Sequence, residues 1–321
     1  MLLTRRTVLV TSLAMPALAQ PAWPNRPIRV INPYAPGGGS DIMMRTLAPH
    51  LERILGQPIL IDNRAGAGGA LGTGLAAQAA PDGYTLLITN TGPLAVAPTL
   101  MRGLNYDPIR SFAYITMFGG FPLVCAVKGD SRLRTLADYA AAARARPEAI
   151  SFGSSGVGSA GHLAGVLFGM ETGTRLLHVP FRGAGEAEQA VLSGETDSLW
   201  NTVAAHSGAI RGGTLRGLAF TSEEPLASLP DVPTVAAAGF PGVIATNWFV
   251  LAGPAGLPPA IGERMDAAIQ QASADPAVAE RFNGLGLTPL APKGAAGIAA
   301  FVTAENTRWA PVVRASGATP S

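Results

Sequence analysis

The sequence predicts an α/β fold, and three observations carry the prediction. Short β-rich runs alternate with helical stretches along the whole chain, the pattern of βαβ units. Several runs, such as Leu86-Leu87-Ile88 and Leu123-Val124, are continuously apolar, which suits strands buried on both faces of a parallel sheet. The 39 Gly and 27 Pro fall between these runs without a collagen period or a Pro-rich tract, so they punctuate turns.

In order, strands are expected at Ile28–Asn32, Ile59–Asp62, Tyr84–Thr89, Tyr114–Met117, Leu123–Val127, Ile150–Phe152, Arg175–Val179, Leu199–Trp200, Arg216–Thr221 and Asn247–Leu251. Helices are expected at Ile42–Leu55, Ala70–Ala79, Leu136–Ala145, Leu163–Glu171, Glu186–Leu192 and Pro259–Ala274. The first helix shows why. Ile42, Met43, Leu47, Leu51, Ile54 and Leu55 recur at three- to four-residue steps and make one apolar face. Ser40 suits its N-cap, Asp41 its first turn and Gly56 its end. Pro49 inside it should kink the helix or leave a carbonyl unpaired.

With 321 residues the chain fits about two domains. Its 48% hydrophobic content allows a sizeable core, and its 14% charged content argues against a disordered chain, a coiled coil or a basic nucleic-acid binder. The single Cys125 excludes an internal disulfide and any multi-Cys metal site. Residues 1–19 read as an export signal. Arg5 and Arg6 precede a short apolar run, and Ala17-Leu18-Ala19 forms a cleavage box. The run is too short to span a membrane. Thr4-Arg5-Arg6-Thr7 also suits twin-arginine export, so both export routes stay open. Of 23 Lys and Arg, two lie in the signal, which leaves 21 basic against 21 acidic residues and no net charge. No field draws the mature chain to nucleic acid or to an anionic membrane.

Two glycine-rich segments each join a strand to a helix. One is Tyr34-Ala35-Pro36-Gly37-Gly38-Gly39-Ser40-Asp41, the other Ser154-Ser155-Gly156-Val157-Gly158-Ser159 leading to His162. Glycines let backbone approach a ligand, and a helix start offers unpaired N–H groups, so each loop is a candidate anion site. Gly38 is the position where a side chain is expected to block that approach and strain the backbone. The second loop also contains Gly156-x-Gly158-x-x-Gly161, the dinucleotide fingerprint, with Arg182 rather than an acid after the next strand. A periplasmic NADP-dependent oxidoreductase is therefore the alternative. There is no G-x-S-x-G elbow and no paired-His metal spacing. His178 reads as a satisfied, half-buried strand residue and Cys125 as core.

An ordered set of motifs resembles the solute-binding proteins of tripartite tricarboxylate transporters, the Bug receptors. The set comprises Trp23-Pro24-Asn25-Arg26-Pro27, Pro36 to Asp41, Asn63-Arg64-Ala65-Gly66-Ala67-Gly68-Gly69 and Pro81-Asp82-Gly83-Tyr84. It continues through Gly156-Val157-Gly158-Ser159, His178-Val179-Pro180-Phe181-Arg182-Gly183, Leu229-Pro230-Asp231-Val232-Pro233 and Pro254-Ala255-Gly256. The resemblance spans Trp23 to about Val313. It implies a two-lobed Venus-flytrap periplasmic binding fold, two doubly wound sheets joined by crossings near Gly119–Leu123 and Ala245–Phe249. One lobe would hold residues 23–121 and 247–321, the other 122–246. It implies no catalysis and no cofactor or metal. The partners it implies are a small organic acid and membrane permease subunits, with no nucleic acid, no membrane insertion, a periplasmic location and a monomeric state. A ligand-sensing subunit of a signalling system is a further alternative. Ligand contacts are expected from Tyr34, Ala35, Pro36, Gly37, Gly38, Gly39, Ser40 and Asp41. Others are expected from Thr89, Asn90 and Thr91, from Ser154, Ser155, Gly156, Val157, Gly158, Ser159 and His162, and from Asn201. The family often carries Asp at the position of Asn201 and Tyr at that of Phe181, which disfavours amino-acid ligands here.

Overall fold

The first strand is buried on both faces except at one position: Ile28, Val30 and Ile31 are buried while Arg29 reaches solvent. The computed structural model describes residues 23–290 and 294–318; the expected export signal lies outside them. From the N-terminal side the elements run β1 (Ile28–Asn32), α1 (Gly39–Leu55), β2 (Ile59–Asn63), α2 (Ala70–Ala77), β3 (Thr85–Asn90), α3 (Ala97–Leu100) and β4 (Phe112–Lys128). They continue with α4 (Leu136–Ala145), β5 (Ser151–Ser154), α5 (Ala160–Thr172), β6 (Leu177–Pro180), α6 (Ala184–Ser193), β7 (Ser198–Thr202), α7 (Val203–Arg211) and β8 (Leu215–Phe220). β9 (Thr246–Pro254), α8 (Pro259–Ser273), α9 (Pro276–Gly284) and α10 (Gly294–Ala315) follow. A π-helical turn, Gly92–Val96, leads into α3.

The fold is two-lobed. In one sheet β2, β1 and β3 are parallel, and β9 and the first part of β4 extend them antiparallel. In the other, β6, β5 and β7 are parallel and the last part of β4 lies antiparallel between β7 and β8. The two strands expected at Tyr114–Met117 and Leu123–Val127 are thus one. Its residues Phe112–Pro122 pair with β9, and Leu123–Lys128 pair with β7 and β8. Register shifts at Tyr114/Thr116 and Met117/Gly119 interrupt the pairing with β9, as bulges that bend a strand do. The apolar run at Leu123 reports burial on both faces, as expected, but its partners are antiparallel. Buried Thr221 stitches the two connecting segments together: its hydroxyl accepts the Leu123 N–H and donates to the Ala245 carbonyl.

Helix α1 buries Met43, Met44, Leu47, Leu51 and Leu55, each contributing about 1.5–3 kcal/mol. It runs unbroken through Pro49 and ends at Gly56 with φ 72°. Its N-cap is Gly38, not Ser40; the Ser40 hydroxyl donates to Asn32 Oδ1 (2.7 Å) inside the lobe instead. Among the described residues no helix is long and apolar enough to cross a membrane.

Candidate functional site

Doubly wound sheets place ligands beyond the carboxyl ends of their parallel strands. Here the β1–α1, β5–α5, β6–α6 and β7–α7 junctions meet there, in the cleft between the lobes. Their helix starts line one small cavity of about 20 Å³: Gly38, Gly39 and Ser40 for α1, Ser159, Ala160 and Gly161 for α5, Ala184 for α6 and Thr202 for α7. Tyr34, Asn90, Ser155, Asn201, Asn247 and Phe249 complete the wall. Among the described residues no charged side chain lines it. No side chain caps α1, α6 or α7, so their first-turn N–H groups are free for a ligand. Helix starts also carry partial positive charge. The arrangement suits an anion held by backbone and dipoles rather than by Lys or Arg.

The side chains on the wall are largely paired with one another. Tyr34 Oη donates to Asn90 Oδ1 and the Gly68 carbonyl (both 3.0 Å). Burial pushes the Tyr34 hydroxyl up, and the bond to Asn90 only partly offsets this. Asn90 Oδ1 also accepts the Gly92 N–H (3.3 Å). Asn201 Nδ2 donates to Ser155 Oγ (2.9 Å), and its Oδ1 accepts the Thr202 N–H (2.9 Å). Asn247 Nδ2 reaches across to Thr202 Oγ1 (2.9 Å).

Asp41 does not face this cavity. Burial opposes its charge, but bonds from Arg45 (2.8 Å), the Gly37 N–H (2.9 Å) and Asn63 (3.1 Å) outweigh that and hold its carboxyl below the usual range. It therefore braces the first loop.

The second loop is braced from behind. Ser154 Oγ accepts the Gly156 N–H (3.2 Å) and meets His178 Nε2 (2.7 Å), and Ser159 Oγ donates to it (3.2 Å). The Gly158 N–H donates to His162 Nδ1 (3.1 Å), which fixes that ring as the neutral Nε2–H tautomer. The two imidazoles stack with centroids 4.0 Å apart. Burial lowers the pKa of His162 to about 4; burial, then the neighbouring ring, lowers that of His178 to about 3.

Of the residues expected from sequence, Tyr34, Gly38, Gly39, Ser40, Asn90, Ser155, Ser159 and Asn201 come together on this wall. Gly156 and Val157 line a neighbouring cavity of about 180 Å³ beside Gly66–Gly69 and Arg182. Ala35, Pro36, Gly37, Asp41, Thr89, Thr91, Ser154, Gly158 and His162 line neither. Pro36 and Gly37 are exposed. Thr89 faces Thr73 (3.3 Å), and Thr91 fastens the start of β9 by accepting the Trp248 N–H (3.2 Å). The strain expected at Gly38 is absent, although Gly38 does line the cavity. Its φ is an ordinary −78°, and the nearest atom to an added Cβ would be the Ala35 carbonyl oxygen, 3.9 Å away. Crowding falls on Gly39, where a Cβ would lie 3.1 Å from both Phe249 and Thr202. Sequence reasoning missed the starts of α6 and α7, and Asn247 and Phe249. Gly183, which caps α6, stood in a motif already noted, and Asn247 in an expected crossing.

The dinucleotide reading does not fit. Gly68 packs on Val157, Leu100 packs on Gly158, and Gly161 presses on the Trp200 backbone. These glycines serve close packing between backbone segments, and no acid follows the next strand to take a ribose hydroxyl.

The model of the tripartite tricarboxylate transporter family receptor matches residues 43–318. The chain belongs to that family. BugT of Bordetella pertussis is 37% identical over 314 residues, covering 97% of this chain and 95% of that protein. The solved structure of MatC from Rhodopseudomonas palustris with bound malate superposes with a TM-score of 0.85 at 30% identity, covering 91% of this chain and 100% of that one. An R. palustris protein with adipate superposes at 0.88 with 28% identity, covering 93% and 100%. Receptors of this family are binding proteins and not enzymes, which replaces the oxidoreductase alternative.

Proposed function

We propose that this tripartite tricarboxylate transporter receptor captures a small carboxylate between its lobes and delivers it to a membrane permease. The observation that carries the reading is the convergence of four helix starts on a cavity with no charged side chain. A carboxylate there meets N–H donors and favourable dipoles without a buried cation. The malate and adipate held by the two relatives support the ligand class. The protein works in the periplasm as a monomer, exported by way of residues 1–19. Its lobes comprise residues 23–121 with 247–321, and 122–246; the change of pairing partner between Pro122 and Leu123 supports that division.

The ligand contacts are Tyr34, Gly38, Gly39, Ser40, Asn90, Ser155, Ser159 and Asn201, with Asn247 and the α6 and α7 starts added. A cavity of 20 Å³ has room for about one water. The acid therefore enters with the lobes parted, and they close around it less tightly. Calorimetry with succinate, malate, glutarate and adipate, paired with small-angle scattering, tests the reading. At least one acid should bind and compact the molecule; absence of binding by all four would overturn it. Delivery is tested by uptake of the bound acid into cells that carry the permease subunits, with and without this protein.

A further inference from the structure

Asn247 opens the cleft end of β9 with its side chain on the cavity wall, 6% exposed. Its Nδ2 is engaged by Thr202 Oγ1 at 2.9 Å, but its Oδ1 is buried with no partner. Among the described residues it is the one buried side-chain oxygen on this wall without one. Such an oxygen has given up its bond to water and gained none in return. With the amide in this orientation, Nδ2 towards Thr202, no neighbouring side chain donates to Oδ1. The Ser40 hydroxyl is spent on Asn32, Tyr34 on Asn90 and Gly68, and Asn201 and Ser155 on each other. A carboxylate has only acceptor atoms and would leave Oδ1 unsatisfied and face it with like partial charge. A hydroxyl can donate to Oδ1 and carries no charge. An ammonium could also donate, but no acidic side chain lines the cavity to balance it.

We propose that Asn247 is a specificity residue whose Oδ1 accepts a hydrogen bond from a hydroxyl of the bound acid, so that the cleft selects hydroxy carboxylates over their unsubstituted counterparts. This rests on the carboxylate reading above.

The test is calorimetry on the full protein with paired acids, succinate against both enantiomers of malate and glutarate against both enantiomers of 2-hydroxyglutarate, with oxaloacetate as a third arm. In the pair whose length fits, one hydroxy enantiomer should bind at least tenfold more tightly than the unsubstituted acid. Asn247→Leu should cut that preference to threefold or less while the unsubstituted acid still binds. Equal binding within both pairs would overturn the role of Asn247 and leave the carboxylate reading standing. Tighter binding of oxaloacetate than of malate would also overturn it, because the amide would then be presenting Nδ2. Failure of every acid to bind would overturn both readings together. The wild-type comparison decides the matter even if Asn247→Leu does not fold.

Discussion

Gly68 of one lobe lies against the backbone of Val157 in the other so closely that a methyl group on Gly68 would run into the Val157 carbonyl oxygen. Similar contacts continue along the seam. A Cβ on Gly92 would sit 3.1 Å from the Gly158 carbonyl oxygen, and one on Gly183 2.9 Å from Ala35 Cβ. The closed lobes meet through backbone, and glycine at these positions permits it. Gly68 also has φ 60°.

Gly68→Ala should therefore weaken ligand binding at least tenfold, about 1.4 kcal/mol. The left-handed backbone costs alanine about 1–2 kcal/mol in the open and closed states alike. The clash with Val157 is confined to the closed state, and that difference shifts the equilibrium. Calorimetry should show the loss of affinity, and scattering should show less compaction at a given ligand concentration. Unchanged affinity would mean that closure does not bring Gly68 to Val157.

Acid should loosen the second loop. His162 and His178 are neutral in the fold, with pKa values lowered to about 4 and about 3, against about 6.5 unfolded. The unfolded chain binds protons first as pH falls, so stability is full above about pH 6.5 and declines towards pH 4 and below. By pH 4.5 the loss should be on the order of 2–3 kcal/mol for each ring. Protonating His162 Nδ1 would also remove the acceptor of the Gly158 N–H. Thermal melts between pH 7.5 and 4.5 should fall steeply in the wild type and less in His162→Asn. Parallel curves would show that these rings are not the titrating groups.

The strands were legible where apolar residues cluster: β1 has the expected limits, as helix α4 does, and β2, β3 and β5–β8 lie within a few residues of theirs. Continuity was not. Met117, Phe118 and Gly119 read as the end of one strand, because the bulges that carry β4 from sheet to sheet have no apolar signature. α9 was missed although Asp275 and Pro276 form a capped start. α10 was missed because Gly294, Gly297 and Pro311 blur its period. At the site, glycines marked two of the four helix starts. That α6 and α7 join them depends on strand order, and the unpaired Asn247 Oδ1 depends on what surrounds it in three dimensions.

Helix α10 is fastened to β9 by one carboxylate. Buried Glu305 accepts the indole N–H groups of Trp248 (2.8 Å) and Trp309 (3.0 Å) on Oε2, and Arg308 (3.1 Å) on Oε1. Glu305→Leu leaves two buried indole donors unpaired, at about 1–3 kcal/mol each. Its urea midpoint should drop well below that of the wild type, while Glu305→Gln, which keeps an acceptor, should fall between them. Equal midpoints for the two variants would show that the packing of α10, not its hydrogen bonds, sets its contribution.

The charge of the ligand gives the last prediction. Asn201 stands on the cavity wall as a neutral amide, and among the described residues no acidic side chain lines that wall. Asp41 is committed to Gly37, Arg45 and Asn63, and Asp197 to the Ser151 backbone N–H and hydroxyl (2.9 and 2.8 Å). An ammonium group brought into this cavity loses its water and gains no counter-charge, a cost of several kcal/mol. Four helix starts add a repelling dipole field. Succinate should therefore bind more tightly than aspartate, and glutarate more tightly than glutamate, by at least tenfold, about 1.4 kcal/mol. Asn201→Asp should narrow or reverse the gap, by supplying an anion for the ammonium and by repelling the unsubstituted acid. A thermal-shift panel of these four ligands on both proteins measures it. Greater stabilisation of the wild type by the amino member of each pair would show that the ammonium is balanced by some group other than residue 201.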